Sequence, residues 1–357
     1  MTATLTTIEA LIRAGHAQED ERDALSAVAE RYAVAVTPHM QALIRQRNDP
    51  IARQFIPDPQ ELQTSPPEDA DPIGDRAHTP VEGIVHRYPD RVLLKAVHVC
   101  PVYCRFCFRR EMVGPTGDGL LANEKLNAAL DYIRKHDEIW EVIFTGGDPL
   151  VLSPGRLRAI LEPIRAIPHV KILRFHTRVP LVDPERVTAA LVDVLKESGK
   201  TIYIALHANH ADEFSNAGRD ACARLIDSGI SMISQSVLLR GINDNVQTLA
   251  DLMRTFVENR IKPYYLHHPD LAPGTGHFRV SVEEGQELMR QLRGRLSGLC
   301  QPTYMLDIPG GHGKAVLNPA EYAFADGQLT LRDFNGKPHR YPPPISASES
   351  GTGSRKE

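Results

Sequence analysis

The sequence predicts an α/β protein whose centre is a full or partial (β/α) barrel, with an N-terminal helical extension and a short C-terminal β-hairpin. Three observations carry that expectation. From Arg91 onward, seven short apolar runs rich in β-branched residues alternate with amphipathic stretches, and strand–helix alternation under the right-handed crossover rule makes a parallel sheet that curls or closes. Polar and glycine-rich clusters follow the runs, as they should where chemistry collects at the carboxyl ends of parallel strands. After the first run comes a triplet, Cys100, Cys104 and Cys107, in C-x3-C-x2-C spacing with an aromatic before the last cysteine.

Taken in order, residues 1–75 read as helices and a linker: apolar spacing in Ile8-Glu-Ala-Leu-Ile12 and Leu25-Ser-Ala-Val28 gives way to a loop rich in Pro and Asp over 64–75. Residues 76–314 form the barrel. Its strands are expected at 92–99, 141–144, 170–175, 201–206, 231–238, 261–266 and 303–308, with helices between them such as 123–133 and 282–292. Residues 315–357 hold a hairpin over 328–341 with Asn335-Gly336 as the turn, and then a Pro- and Ser-rich tail expected to be disordered.

Composition narrows the function. Apolar and charged fractions of 42% and 24% are those of an ordinary soluble protein. Lys+Arg 41 against Asp+Glu 45 gives −4 with no long basic block, so nucleic acid is not an expected partner. The N-terminus lacks a basic segment followed by an apolar one, and no stretch reaches membrane-span length. Five cysteines, three clustered, make no disulfide framework, and a reducing cytoplasm fits them.

Three thiolates in eight residues suit an iron–sulfur cluster, and the absence of a nearby fourth leaves one iron open for catalysis. The alternatives are a zinc site completed by histidine and free core thiols. Zinc sites usually come as two separated pairs, and isolated core cysteines need not fall four and three apart. In Thr145-Gly-Gly-Asp148, adjacent glycines let backbone approach a ligand, their amides suiting a carboxylate and their carbonyls an amino group. A plain strand-to-helix turn with Asp148 near a helix start is the competing reading. Pro309-Gly-Gly-His-Gly-Lys314 places a lysine after a glycine-rich turn, suited to a Schiff base or a phosphate, although a solvated loop lysine would look the same. Ala315 after the lysine excludes a Walker loop.

Together, His86-Arg-Tyr-Pro-Asp-Arg91, the cysteine run with Arg109 and Arg110, Gly146-Gly-Asp-Pro-Leu150, Ser234-Gln-Ser-Val-Leu-Leu-Arg-Gly-Ile-Asn-Asp244, Pro263-Tyr-Tyr-Leu266, Gly276-His-Phe278 and the loop ending at Lys314 resemble the lysine 2,3-aminomutase family. The resemblance runs from about residue 49 to 341, and the cysteine spacing, which resembles the radical S-adenosylmethionine (SAM) signature, implies a barrel of the radical SAM type. It implies a [4Fe–4S] cluster on Cys100, Cys104 and Cys107, SAM on its open iron with its amino end at Gly146, Gly147 and Asp148, and pyridoxal 5′-phosphate (PLP) held by Lys314 as an aldimine. By the same resemblance Arg87, Tyr88, Arg91 and Gln235 surround the PLP phosphate and ring, and His207 lines the SAM pocket. Arg91 alone would read as surface charge, and His207 equally as a structural histidine.

The resemblance also gives Arg109 to the substrate carboxylate, a bidentate role that guanidinium fills, while Arg110 reads as surface charge. Asp270 and Asp307 match the pair that grips the side-chain ammonium of lysine, although Asp270 could be a turn residue. Relatives acting on glutamate are expected to carry neutral or basic groups at those two positions, so retaining both points to free L-lysine.

Departures are equally visible. The tail has no cysteine cluster, and Asn245 stands where a cysteine shared in a zinc site would be, so no zinc is expected. His312 replaces a glycine, and His267-His268-Pro269 precede Asp270. Cys222 and Cys300 read as structural. The implied reaction moves the α-amino group of L-lysine from C2 to C3 to give β-lysine, started by a 5′-deoxyadenosyl radical and requiring an external electron donor. A homo-oligomer is compatible with this. The rivals are an enzyme isomerising a lysine for elongation factor P, a 2,3-aminomutase for another amino acid, and a non-catalytic iron–sulfur electron carrier. The last has no need for Lys314, Arg109 or the aspartate pair.

Overall fold

The computed structural model describes residues 3–114, 119–325 and 327–342. A nine-stranded sheet runs in sequence order: β1 (Ile84–Tyr88), β2 (Arg91–Val97), β3 (Glu141–Gly146), β4 (Ile172–Thr177), β5 (Thr201–His207), β6 (Ser231–Val237), β7 (Lys262–His267), β8 (Thr303–Ile308) and β9 (Gly313–Val316). Strands β2 to β8 pair in parallel, and β1 and β9 add antiparallel at the two ends. The curled sheet is therefore a nearly closed barrel whose end strands run against the rest.

The seven parallel strands stand where the apolar runs predict them. Val142, Ile143 and Phe144 are all buried, as are Ile204, Ala205 and Leu206, because a parallel strand is covered on both faces and so reads as an unbroken apolar run. Strand β4 extends past its expected end through His176 and Thr177, which pair with Ala205 and Leu206. The first run stops at Val97, short of 99, where the chain turns into the cysteine loop.

Helices α5 (Asn123–Lys135), α6 (Pro154–Arg165), α8 (Ala189–Glu197), α9 (Asn216–Asp227), α10 (Val246–Glu258) and α11 (Val282–Leu292) cover the sheet. Ser153, Thr188, Ser215, Asn245 and Ser281 cap the last five, each side chain accepting from a first-turn amide. Asn245 thus has a structural task. Leu126, Leu130 and Ile133 of α5 and Leu157, Ile160 and Ile164 of α6 join a core that includes the stacked pair Phe144 and Phe175.

Before the barrel, α1 (Ile8–Arg13), α2 (Arg22–Arg31), α3 (Pro38–Leu43) and α4 (Ala52–Phe55) build a second core around Leu11, Leu25, Met40 and Phe55. That core takes in Val102 from the cysteine loop and Val182 from the short helix α7 (Val179–Val182), so the helices rest on the barrel mouth. After the barrel, β11 (Gln328–Arg332) and β12 (Pro338–Tyr341) form the expected hairpin, and β10 (Tyr322–Ala325) makes it a three-stranded sheet. A four-residue strand carries too little pattern to be read. The tail reading falls on 343–357, outside the described residues. Among those residues no helix is long and apolar enough to cross a membrane.

Candidate active site

The cysteine loop leaves β2 and is stitched to the end of β3. Val97 O accepts from Gly147 N at 2.7 Å and Val99 O from Asp148 N at 3.0 Å. Gly146 has φ +102°, and a Cβ on Gly147 would lie 2.4 Å from Val99 O, so both glycines answer to this close approach. The Asp148 carboxylate accepts from Thr177 Oγ1 at 2.7 Å, Arg178 N at 2.8 Å and Leu150 N at 3.0 Å. The sequence reading gave the amides here to a ligand carboxylate. Those of Gly147 and Asp148 are instead taken up by the cysteine loop, and the Asp148 side chain ties the end of β3 to the end of β4.

The thiols themselves are crowded. Burial pushes Cys107 up to about 11 and Cys100 well above the ordinary thiol value, and the neighbouring cysteines add to both. Thiols in that position bind a metal by losing protons to it, which fits a cluster site. Cys104 Sγ accepts from Arg178 Nη1 at 3.0 Å. Arg178 in turn bonds Glu213 and, at 3.0 Å, Gln54 Oε1.

Arg110, expected on the surface, is instead 7% exposed. It pairs with Glu61, donates to Arg105 O at 2.9 Å and lies 3.5 Å from the Tyr32 ring centroid. Arg105 holds the same fully buried Glu61, with Nε to Oε1 at 2.9 Å and Nη2 to Oε2 at 2.6 Å. Two guanidiniums on one carboxylate fix the backbone on both sides of Cys107, an arrangement worth keeping only when complete.

Across the mouth, the β8–β9 register sets Lys314 directly opposite Asp307, and their side chains form an ion pair. Lys314 N donates to Tyr88 OH at 2.8 Å. Burial alone would raise the Asp307 carboxyl, but His267 and Lys314 reverse this and hold it far below the usual range. Its Oδ1 has no partner. Asp270, just beyond β7, is partly buried. Burial and the Asp307 charge push it up to about 7, against the pull of Lys314 and Arg109.

Arg87 Nη2 donates to Ile73 O at 2.7 Å and to Asp75 Oδ1 at 3.1 Å. Arg109 reaches the other oxygen of Asp75 through Nη2 at 2.9 Å and Nε at 3.2 Å. Arg91 stands at the margin, one-third exposed, its guanidinium 3.9 Å over the Tyr88 ring centroid. His207 ends β5, where it pairs with Gln235 of β6. Burial, with Arg178 and His267, holds His207 far below the usual histidine range and so keeps it neutral.

Both ends of this mouth can therefore be loaded: crowded thiols at one, and at the other a lysine, two carboxylates and a set of cations. A radical SAM superfamily model matches residues 94–253 and a lysine-2,3-aminomutase model matches residues 289–355. The L-lysine 2,3-aminomutase of Clostridium subterminale is 37% identical over 344 residues, covering 95% of this chain and 82% of that protein. The enzyme of the same name from Fusobacterium nucleatum subsp. nucleatum is 38% identical over 336 residues, covering 93% and 78%. The chain belongs to the lysine 2,3-aminomutase family. A glutamate 2,3-aminomutase of Clostridioides difficile is also similar, at 34% over 337 residues, covering 93% and 79%.

As a member of this family the chain is an isomerase, a radical SAM aminomutase that uses a [4Fe–4S] cluster and SAM, acts on a small amino acid and needs a reductant. Sequence reasoning missed four of the polar residues that order the site. Gln54, Glu61, Asp75 and Glu213 bond partners far along the chain, and no local spacing marks such pairs. The one available signal was the excess of arginines around the cysteines, which in a buried loop demands carboxylates.

Proposed function

We propose that this aminomutase binds PLP on Lys314 and converts L-lysine to β-lysine, with Cys100, Cys104 and Cys107 as cluster ligands. The observation that carries the substrate is a pair of acids, Asp307, whose Oδ1 is free of partners, and a raised Asp270, at the same end of the mouth as the arginines. A zwitterionic head with a distal ammonium matches that polarity. The side-chain carboxylate of glutamate would meet two acids.

The residues present suit PLP. Arg87 Nε is buried without a partner, guanidinium donors match phosphate oxygens, and Tyr88 ends β1 while Gln235 lies on β6. When bound, the cluster with SAM supplies the hydrogen-abstracting radical and PLP carries the migrating nitrogen. With PLP held on Lys314, Asp307 would be free to face the substrate ammonium. An ammonium there would favour the ionised form of Asp270. Arg109 sets the α-carboxylate, and the enclosed mouth keeps water from the radical. Gly146, Gly147, Asp148 and His207 border the SAM side, and Arg91 covers Tyr88. A reducing cytoplasm, an external electron donor and neither nucleic acid nor membrane as partner complete the proposal.

Anaerobic reconstitution with iron, sulfide, PLP, SAM and a reductant is expected to give β-lysine from L-lysine. Turnover of glutamate with none of lysine would overturn the substrate. Lys314→Ala is expected to abolish the visible absorbance of lysine-bound PLP, and its survival would overturn the anchor.

A further inference from the structure

Asp75, in the Pro- and Asp-rich segment ahead of β1, is 2% exposed and has three cations around its carboxylate. Arg109 and Arg87 lie at 2.9 and 3.1 Å and Lys95 Nζ at 3.9 Å. One anion in contact with three cations leaves a positive surplus around it, with Asp71 acting on Lys95 and Asp270 on Arg109 from farther off, in a place where unpaired charge is costly. That surplus is what a site for anionic ligand groups requires.

Asp75 is also held in place. Its amide donates to Asp71 Oδ1 at 2.8 Å, and its carbonyl accepts from Thr79 Oγ1 at 2.9 Å. Beside it, Gly74 packs so closely on the lysine loop that a Cβ would stand 2.3 Å from Gly311 N. His78 Nε2 lies 3.0 Å from Gly311 O. The segment that carries Asp75 is therefore packed on both sides of it against the loop that carries Lys314.

The two arginines spend different edges on it. Arg109 gives Nε and Nη2, and Arg87 gives Nη2 alone. Nη1 of each, and the unpartnered Nε of Arg87, remain for other acceptors. We propose that Asp75 is a positioning residue, one buried carboxylate that locks Arg87 and Arg109 side by side so that their remaining donors meet the PLP phosphate and the substrate carboxylate. This rests on the roles proposed above for those two arginines.

The test is PLP affinity, read by titrating the visible absorbance of lysine-bound PLP in the full chain. Asp75→Asn keeps the shape and removes the charge. Its PLP dissociation constant is expected to rise about tenfold, the worth of one charge-assisted hydrogen bond. Combined with Arg87→Gln, the two losses are expected to be less than additive, because one acts through the other. Unchanged or tighter PLP binding would overturn the proposal, since charge removal alone would favour a phosphate. If Asp75→Asn does not fold, Asp75→Asn with Lys95→Met, which removes one of the three cations, carries the same expectation. A wild-type chain that takes up no PLP overturns the underlying reading, whereas wild-type uptake with an unaffected variant overturns Asp75 alone.

Discussion

Asp270 decides whether the empty mouth can receive a cation. Burial and the charge of Asp307 raise it to about 7, so near neutrality it is partly protonated, and an ammonium binds the ionised form. Lysine affinity is accordingly expected to rise as pH increases through about 7, and that rise is expected to vanish in Asp270→Asn. The same raised value makes Asp270 oppose folding of the empty protein as pH climbs from the ordinary carboxylate range toward 7, because the folded state then holds the extra proton. Titrating KM for lysine against pH in both proteins checks the first claim, and a flat wild-type profile would sink it. Losing the charge is expected to lower kcat/KM about 100-fold or more, as for one partner of a buried charge pair. At this scale the sequence was informative where a residue type is rare for its setting, as with the cysteines and Lys314. It was silent on Asp75, because an aspartate in an Asp-rich loop has nothing local to distinguish it.

Two glycines show what the elements require. Gly74 has φ +67°, and an added methyl would meet the backbone of Gly310 and Gly311, which cannot retreat as a flexible side chain could. Gly155, near the start of α6, has nothing within 4 Å of the same position. Gly74→Ala is therefore expected to cost about 1–3 kcal/mol from overpacking and a strained φ and to lower the PLP content of the purified protein, since the lysine loop must shift. Gly155→Ala is expected to gain about 0.5–1 kcal/mol from helix propensity with PLP content unchanged. Urea unfolding and absorbance separate the two, and equal PLP content in both variants would count against the loop coupling. The seven parallel strands were readable because burial on two faces writes a continuous apolar run. Strands β1 and β9 were not, being short and polar where they carry Arg87, Tyr88 and Lys314. Two of the strands that hold the chemistry were therefore the hardest to see, while those carrying His207, Gln235 and Asp307 were legible.

Across the whole molecule, the N-terminal helices and the barrel meet at the cysteine loop, and this gives the first 63 residues a task that their own pattern never revealed. Gln54 reaches Arg178, 124 positions away, and Glu61 reaches Arg105 and Arg110, 44 and 49 positions away. Contacts at such separations have no periodicity, so sequence showed helices and no purpose. Removing the charge of Glu61 would leave two guanidiniums buried on either side of Cys107, and a broken buried pair costs about 3–5 kcal/mol. Glu61→Gln is expected to lower the free energy of unfolding in urea by that order and to lower iron and sulfide per chain after anaerobic reconstitution, because the cysteine loop loses its tie to the helices. The half-exposed pair Arg158 and Glu197 supplies the contrast: Glu197→Gln is expected to change stability by no more than about 1 kcal/mol and to leave the iron content alone. Full iron loading in a destabilised Glu61→Gln protein would mean that the helices support the fold without supporting the cluster.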